Sequence, residues 1–411
     1  MISLEEARAL ISETLSGERL GREFIPVKNA RRRVLATDVV SGLDMPPFDR
    51  VTVDGFAVAD GESNNRLQIV GEVRAGQVWD EPVQPGSAVK IMTGAPAPPG
   101  TGRVVMVEQT LEKDGFVEIE TEALSVGRHN IAPKGEDRHA GDVIARAGER
   151  LDAAHIAGLV SCGVIEVQVG RQPQVVVMAT GDELVEDPEQ RQGGQILNSN
   201  SPLLGNVLRS YDYPVEIHPV VPDDPHVTLD RISNALWKAD VVVLTGGVSA
   251  GEYDFVPRAL QEMELETLFT RVAIKPGKPT TLAVGDRGVV FGLPGNPVSA
   301  YITCHLFVLP ALALLEGGAC KERTLHLPLA DDYSSRSSPR VQFLPARLTE
   351  IGEVVPLRYH GSGHQLALTA ADGLFRLEPE VTVLAAGTRV PFWPVRIPAF
   401  TALTERTQGG R

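Results

Sequence analysis

The chain has 411 residues, of which 43% are hydrophobic and 22% are charged, and its formal net charge is −14. This length exceeds what one ordinary core holds, so we expect about two to four domains. The acidic balance disfavours a general binder of nucleic acid or acidic membranes, which needs a basic face, but it allows an anionic small ligand held by local lysines and backbone amides.

Cysteine usage and the N-terminus point to a cytoplasmic protein. The three cysteines, Cys162, Cys304 and Cys320, are scattered without metal-ligand spacing, and this pattern is typical of small core residues in a reducing compartment. The first residues lack the basic and apolar regions of a secretory signal. The longest apolar stretches are far shorter than a bilayer span, so we expect no membrane partner. The acidic balance likewise leads us to expect no nucleic-acid partner.

Two amphipathic helices flank the first half of the chain. Ser3 and Glu6 form a predicted capping box before apolar residues at helical spacing, and a second capped helix is predicted over Asp152 to Ser161. We interpret residues 1–45 and 140–171 as one helical and extended linker module. An inserted β domain, residues 46–139, interrupts this module, because short strands and turn signals dominate there.

The inserted domain carries polar residues in unusual places. Alternation over Val51 to Val58 predicts a strand that contains Asp54, and a carboxylate buried in an apolar strand would need a partner, a metal or a ligand. Thr93 and Gly94 follow a strand, so their backbone amides should be accessible. The segment 134–137 (KGED) places two carboxylates side by side, and a solvated turn is the competing interpretation.

Alternating strands and helices over residues 172–318 predict a doubly wound, parallel α/β domain. Val175 to Met178 and Val241 to Leu244 are apolar runs typical of strands buried on both faces, and each leads into a Thr-Gly turn. Residues 323–403 have short alternating runs punctuated by Pro and Gly, which predict a C-terminal β-barrel or sandwich. The fold class is therefore multidomain α/β.

Four loops of the α/β domain combine small residues with charged ones: Thr180 to Glu183, Pro222 to Asp224, Thr245 to Asp254, and Lys275 to Lys278. In an open parallel sheet, loops after neighbouring strands converge on one crevice. Amides, hydroxyls and lysines there would hold a phosphate. The carboxylates would repel it unless they bind Mg²⁺, which commonly bridges acidic side chains and phosphates. The pattern indicates a metal-assisted reaction on a phosphorylated or nucleotidyl ligand, although each glycine turn alone could simply be a tight connection. Walker A and GxGxxG sequences are absent.

Eight segments, spread along the chain in order, resemble one family. The chain is similar to the molybdopterin molybdenumtransferases, which comprise the bacterial MoeA-type enzymes and the E domain of gephyrin. The segments are PPFDRVTVDGFAV (46–58), MTGAPAP (92–98), KGED (134–137), TGDEL (180–184), DDP (223–225), TGGVSAGEYD (245–254), KPGKP (275–279) and GLPGNPVSA (292–300).

The resemblance implies four subdomains and an elongated homodimer, with a cleft between the α/β domain of one subunit and the inserted β domain of the other. It implies insertion of molybdate into adenylylated molybdopterin, with release of AMP and use of Mg²⁺ or a similar cation. Molybdopterin adenylyltransferase and molybdoenzyme maturation proteins become candidate partners.

Carried over residue by residue, the resemblance also implies roles for particular side chains. The implied catalytic residues are Asp54, Asp137, Glu183 and Asp254, and the implied metal ligands are Glu183, Asp224 and Asp254. The implied substrate-binding residues are Thr93, Gly94, Thr180, Gly181, Asp182, Asp224, Thr245, Gly246, Gly247, Ser249, Lys275, Lys278, Pro294, Asn296 and Pro297.

Three alternatives stay open at this point. The chain could be a non-catalytic molybdopterin carrier or scaffold, a tungstate-inserting homologue, or another enzyme that shares only the pterin-binding α/β domain. The segment Arg50 to Val53 departs from the sequence usual in relatives and suggests a subgroup. The C-terminal match around 360–364 is looser, which leaves the role of that domain undefined.

Overall fold

The computed structural model describes residues 1–16, 20–125, 129–247, 255–319, 324–358, 361 and 363–395. The chain divides into two compact units. Unit 1 contains Met1–Glu23 and Gly170–Arg411, and unit 2 contains Phe24–Val169. The strands Arg22–Pro26 and Glu166–Gly170 lie where the chain passes from one unit to the other.

Unit 1 is built on a six-stranded sheet, which we call the central sheet. Its strands, from one edge to the other, are Val215–Ile217, Val175–Ala179, Val241–Thr245, Gly288–Leu293, Thr281–Gly285 and Glu266–Phe269. The first four are parallel, as the sequence predicts. The fifth strand, Thr281–Gly285, pairs antiparallel with both of its neighbours. Only Asp286 and Arg287 separate it from Gly288–Leu293, and such a short connection permits only a hairpin.

Helices cover both faces of the central sheet, so its strands read as unbroken apolar runs. Val175, Val177, Val241 and Val243 pack on one face. The alternate residues of the same strands pack on the other face, against Pro225–Leu236 and Phe255–Glu262. The first face is covered by three helical segments: Leu4–Leu15, Asn200–Ser210, and the continuous helix formed by Pro297–Thr303, the π-helical turn Cys304–Val308 and Leu309–Leu315.

The N-terminal helix Leu4–Leu15 begins with the predicted capping box, in which the Ser3 hydroxyl accepts from the Glu6 amide at 3.0 Å and the Glu6 carboxylate accepts from the Ser3 amide at 2.7 Å. Its buried side chains join the core of unit 1, whereas the second predicted helix, Ala153–Ser161 with Asp152 as N-cap, lies in unit 2. The two helices therefore pack in different hydrophobic clusters. Local amphipathicity predicts a helix but does not specify the core on which it packs.

The helical stretch Pro297–Leu315 is long and apolar enough to span a membrane by length and composition, with a mean hydropathy of 1.9. This corrects the expectation that all apolar stretches are too short. However, 78% of that window is buried inside the protein, as is usual for the core helix of a globular domain.

A second sheet, the C-terminal sheet, also belongs to unit 1. Its strands, in order, are Ile274–Lys275, Val341–Leu348, Gly373–Leu377, Arg389–Pro394 and Leu325–Pro328, with Val354–Pro356 paired to Val341–Leu348. Its first strand comes from the KPGKP segment, so the pairing joins that segment to the C-terminal region. Two smaller pairs complete unit 1: Leu184–Val185 with Ile196–Leu197, and Tyr333–Ser334 with Val383–Leu384.

Unit 2 contains its own six-stranded sheet, in the order Thr101–Met106, Gly55–Ala59, Ser87–Ile91, Arg66–Val73, Phe116–Ile119 and Thr110–Lys113. Separate apolar clusters pack on its two faces. A third cluster surrounds helix Ala153–Ser161. Two short pairs, Arg50–Val51 with Ile131–Ala132 and Val39–Val40 with Val143–Ala145, connect the segments around the sheet.

Candidate functional site

Three parallel strands of the central sheet end side by side and deliver three predicted segments to one edge. Ala179 pairs with Thr245, and Thr245 pairs with Leu293. The backbone bonding continues beyond the strands, since the Thr180 amide donates to the Thr245 carbonyl at 2.8 Å and the Gly246 amide donates to the Leu293 carbonyl at 3.1 Å. We call the space bounded by loops 180–183, 245–247 and 293–297 the crevice.

The crevice requires glycine at two positions. Gly246 has φ +92°, and a Cβ built on it would lie 2.5 Å from the Thr180 carbonyl oxygen. Gly247 has φ +62°, and its Cβ would lie 2.9 Å from the Thr180 hydroxyl. The loops therefore approach each other more closely than any side chain would permit.

Residues 222–224, a third one of the four loops predicted to converge, adjoin the crevice. Gly181 donates its amide to the Val221 carbonyl at 3.1 Å. The Asp223 amide donates to Asp182 Oδ1 at 3.0 Å. These contacts bring Asp182 and the following Asp224 to the same edge of the sheet, as predicted.

Asp224 also has a structural task. Its Oδ1 accepts hydrogen bonds from the amides of His226 and Val227, both at 2.8 Å, and so caps helix Pro225–Leu236.

The carboxylate of Glu183, a second predicted metal ligand, lies beside Gly181 in the same loop: a Cβ built on Gly181 would come within 2.5 Å of Glu183 Oε2. The side chains of Glu183 and Asp224 are both exposed. Among the described residues no three His, Cys, Asp or Glu side chains form a metal cluster, and the third predicted ligand, Asp254, lies outside the described residues, as does Ser249.

The two predicted lysines lie on the remaining predicted loop, residues 275–278, whose first residue belongs to the C-terminal sheet. Lys275 is half-buried and pairs with Gln342 in the C-terminal sheet. Arg340 supports this strand by donating to the Ile274 carbonyl at 3.1 Å. Lys278 is exposed, and its carbonyl accepts the amide of Val272 at 3.0 Å. The C-terminal region thus fixes the backbone beside Lys275, a task that sequence reasoning did not assign to it.

Unit 2 brings together the predicted residues of the inserted domain. Asp54 Oδ1 accepts both the amide and the hydroxyl of Thr93, each at 2.7 Å. These bonds, the backbone one first, hold the pKa of Asp54 below its usual range, so this carboxylate is a fixed negative charge at neutral pH. The Gly94 amide donates to the Val51 carbonyl at 2.8 Å, which ties the Thr93 turn to the Asp54 segment. The expectation that the Thr93 and Gly94 amides are accessible was therefore wrong, because both already bond to neighbouring segments of unit 2.

The expectation that Asp54 lies buried within a strand was wrong. Asp54 lies in an exposed bend before strand Gly55–Ala59, not within a buried strand. The alternating pattern continues across the bend because Val51 and Val53 pack against the cluster on one face of the sheet of unit 2. The carboxylate is therefore satisfied by Thr93 and by solvent rather than by a buried partner.

Asp137 lies in a loop that is bonded to the Asp54 segment. Its amide donates to the Met45 carbonyl at 2.8 Å. Asp49 Oδ1 accepts the Lys134 amide at 2.8 Å, and Asp44 binds the Lys134 ammonium at 3.2 Å. The segments 46–58, 92–98 and 134–137 consequently meet in one region of unit 2.

Sequence reasoning missed one residue of the crevice. Asn200 is buried, and its amide nitrogen bonds two of the three crevice loops. In the sequence, Asn200 precedes apolar residues at helical spacing (Leu203, Leu204, Val207 and Leu208), and an asparagine in that place is usually a helix cap. Nothing local indicates that its partners lie 45 and 95 residues further along the chain.

Family models match nearly the whole chain. The MoeA N-terminal region (domain I and II) matches residues 2–163, the probable molybdopterin binding domain matches 176–314, and the MoeA C-terminal region (domain IV) matches 326–395. These matches extend well beyond the α/β domain, which disfavours an enzyme that shares that domain alone.

Individual proteins give the same result. A molybdopterin molybdenumtransferase of Staphylococcus epidermidis is 32% identical over 403 residues, covering 94% of this chain and 96% of that protein. The enzyme of that name from Staphylococcus aureus is 34% identical over 364 residues, covering 86% of each chain. The crystal structure of a molybdopterin biosynthesis MoeA protein from Pyrococcus horikoshii aligns with a TM-score of 0.79 at 29% identity, over 96% of this chain and 100% of that one. The chain therefore belongs to the MoeA family of molybdopterin molybdenumtransferases, which acts in molybdenum cofactor biosynthesis.

Proposed function

We propose that this protein inserts molybdate into adenylylated molybdopterin and releases AMP. The observation that carries the proposal is the convergence of the Thr180, Gly246 and Gly295 loops at the ends of three adjacent parallel strands. Gly246 and Gly247 carry no side chain, so a phosphate of a nucleotidyl ligand can approach the backbone of these loops closely. Lys275 and Lys278 add positive charge for anionic groups, including the incoming molybdate.

The carboxylates divide into two sets in this proposal. Glu183 and Asp224 offer oxygen donors at the crevice, and Mg²⁺ is commonly held by one or two carboxylates together with substrate phosphates. We assign them, with Asp254, as its ligands. When bound, the cation would neutralise charge that develops on the pyrophosphate as the anhydride breaks. The Asp224 oxygen that does not cap the helix is the one available for this task.

Asp54 and Asp137 form the second set and are assigned to the chemistry. Asp54 is fixed in position by two bonds from Thr93 and remains ionised. A fixed anion of this kind can orient a water or hydroxyl nucleophile, or balance developing positive charge, without rearrangement during the reaction.

The test uses purified protein with adenylylated molybdopterin and Mg²⁺, with and without molybdate. The proposal predicts AMP release that depends strongly on molybdate. Tight binding without release would instead support the carrier or scaffold function. Equal release with tungstate would broaden the metal choice, and the absence of both binding and release would overturn the proposal.

We also propose a cytoplasmic homodimer in which the Asp54 region of one subunit completes the crevice of the other. Mixing two inactive variants, Asp54→Asn and Gly246→Ala, tests the arrangement. If sites are shared between subunits, mixed dimers regain one intact site and recover part of the activity. If every site is built within one subunit, mixing restores nothing. Pull-down with a molybdopterin adenylyltransferase tests that enzyme as a partner.

A further inference from the structure

The side chain of Asn200 connects two loops that are far apart in sequence. Asn200 is the first residue of helix Asn200–Ser210 and is only 7% exposed. Its Nδ2 donates to the Thr245 hydroxyl at 3.1 Å and to the Gly295 carbonyl at 2.7 Å. Because a backbone carbonyl can only accept, the Gly295 contact fixes which end of the Asn200 amide is nitrogen.

This arrangement leaves polar atoms unpaired. With the amide fixed in this way, Asn200 Oδ1 has no hydrogen-bond partner within the described part of the chain, and the buried Thr180 hydroxyl has none either. An unpaired buried acceptor destabilises a fold. An apolar residue at position 200 would avoid that cost, but it would remove the hydrogen bonds that link the Thr245 hydroxyl and the Gly295 carbonyl.

The separation of the two loops matters for the ligand. Thr245 begins the Gly246–Gly247 turn and Gly295 lies in the Pro294–Asn296 turn, and a Cβ on Gly295 would lie 3.6 Å from Gly246 Cα. Donors on both loops can serve one anionic group only if the loops keep a fixed spacing.

We propose that Asn200 is a positioning residue of the crevice, which sets the spacing between the Thr245 and Gly295 loops and thereby the affinity for adenylylated molybdopterin. This inference rests on the proposed function. It assigns Asn200 no contact with the substrate, and its influence passes through the two hydrogen bonds made by Nδ2.

The test compares Asn200→Asp with Asn206→Asp. The first change keeps the shape but replaces the donor with a carboxylate facing the Gly295 carbonyl. The second makes the same chemical change on the same helix, at the exposed residue Asn206, whose Nδ2 donates to the Pro202 carbonyl of its own helix. We expect Asn200→Asp to raise the KM for adenylylated molybdopterin by about tenfold to a hundredfold, with a smaller fall in kcat, and Asn206→Asp to change neither.

Thr245→Val provides a second route if Asn200→Asp folds poorly, because it removes one acceptor without introducing a charge. Its KM should rise as well, and its effect should not add to that of Asn200→Asp, since both changes break the same bond. A loss of thermal stability with an unchanged KM in both variants would refute the positioning role. Wild-type protein that neither binds nor turns over the substrate would refute the proposed function itself, a separate and prior result.

Discussion

Replacing Gly246 by alanine tests the crevice at its narrowest point. The new Cβ would lie 2.5 Å from the Thr180 carbonyl oxygen, whereas ordinary contacts begin at 3.4 Å, so one loop must move by about 0.9 Å, the difference between the two distances. The φ of +92° adds a backbone cost of about 1–2 kcal/mol. A displacement of this size in a site that positions reacting groups reduces kcat/KM by about a hundredfold.

Gly317→Ala is the matched control. Gly317 has φ +88°, and a Cβ there would meet no atom within 4 Å. It therefore carries the same backbone cost without the displacement. We expect both variants to unfold at a lower temperature and only Gly246→Ala to lose molybdate-dependent AMP release. Equal turnover in the two variants would show that the spacing of the Thr180 and Gly246 loops does not matter for the reaction.

Three further predictions concern other parts of the molecule. Asp54→Asn keeps an acceptor for Thr93 but removes the charge, so thermal unfolding should stay near that of the wild type while AMP release falls sharply; normal turnover would make Asp54 structural. Gly55→Ala would place a Cβ 1.9 Å from the Val105 carbonyl oxygen, so unit 2 should lose about 1–3 kcal/mol, seen as faster proteolysis and hydrogen exchange confined to residues 24–169. Burial lowers the pKa of His305 from 6.5 to about 4. Between these two pH values the unfolded chain binds a proton that the folded chain does not bind. The free energy of unfolding therefore falls by up to about 3 kcal/mol as the pH drops from 6.5 to 4. Urea unfolding of His305→Phe should lack this contribution, and an unchanged pH dependence in the variant would contradict it.

The sequence predicted the central sheet well because buried parallel strands carry their signal locally. The runs Val175–Met178 and Val241–Leu244 are apolar at every position, which is typical of strands whose two faces are both covered. The crevice followed from the same strands, since their carboxyl ends must share one edge of the sheet.

Features set by distant pairing could not be predicted from the residues alone. Strand Ile274–Lys275 pairs with Val341–Leu348, in which the partner of Ile274 is 67 residues away, so the tie between the KPGKP segment and the C-terminal sheet has no local signature. Asn200 looks like any helix-start asparagine until its partners on the Thr245 and Gly295 loops are known. The exposure of Asp54 was mispredicted because an alternating pattern does not reveal where a strand gives way to a bend.

Breakage of the adenylyl anhydride is proposed to be coupled to molybdenum insertion. The decisive measurement, in one reaction of purified protein with adenylylated molybdopterin, Mg²⁺ and molybdate, is of the molybdenum bound to molybdopterin and the AMP released. We expect equal amounts of the two at every time point, with neither formed when molybdate is omitted. AMP released without molybdenum incorporation would show a hydrolase rather than a molybdenumtransferase and would refute the coupling.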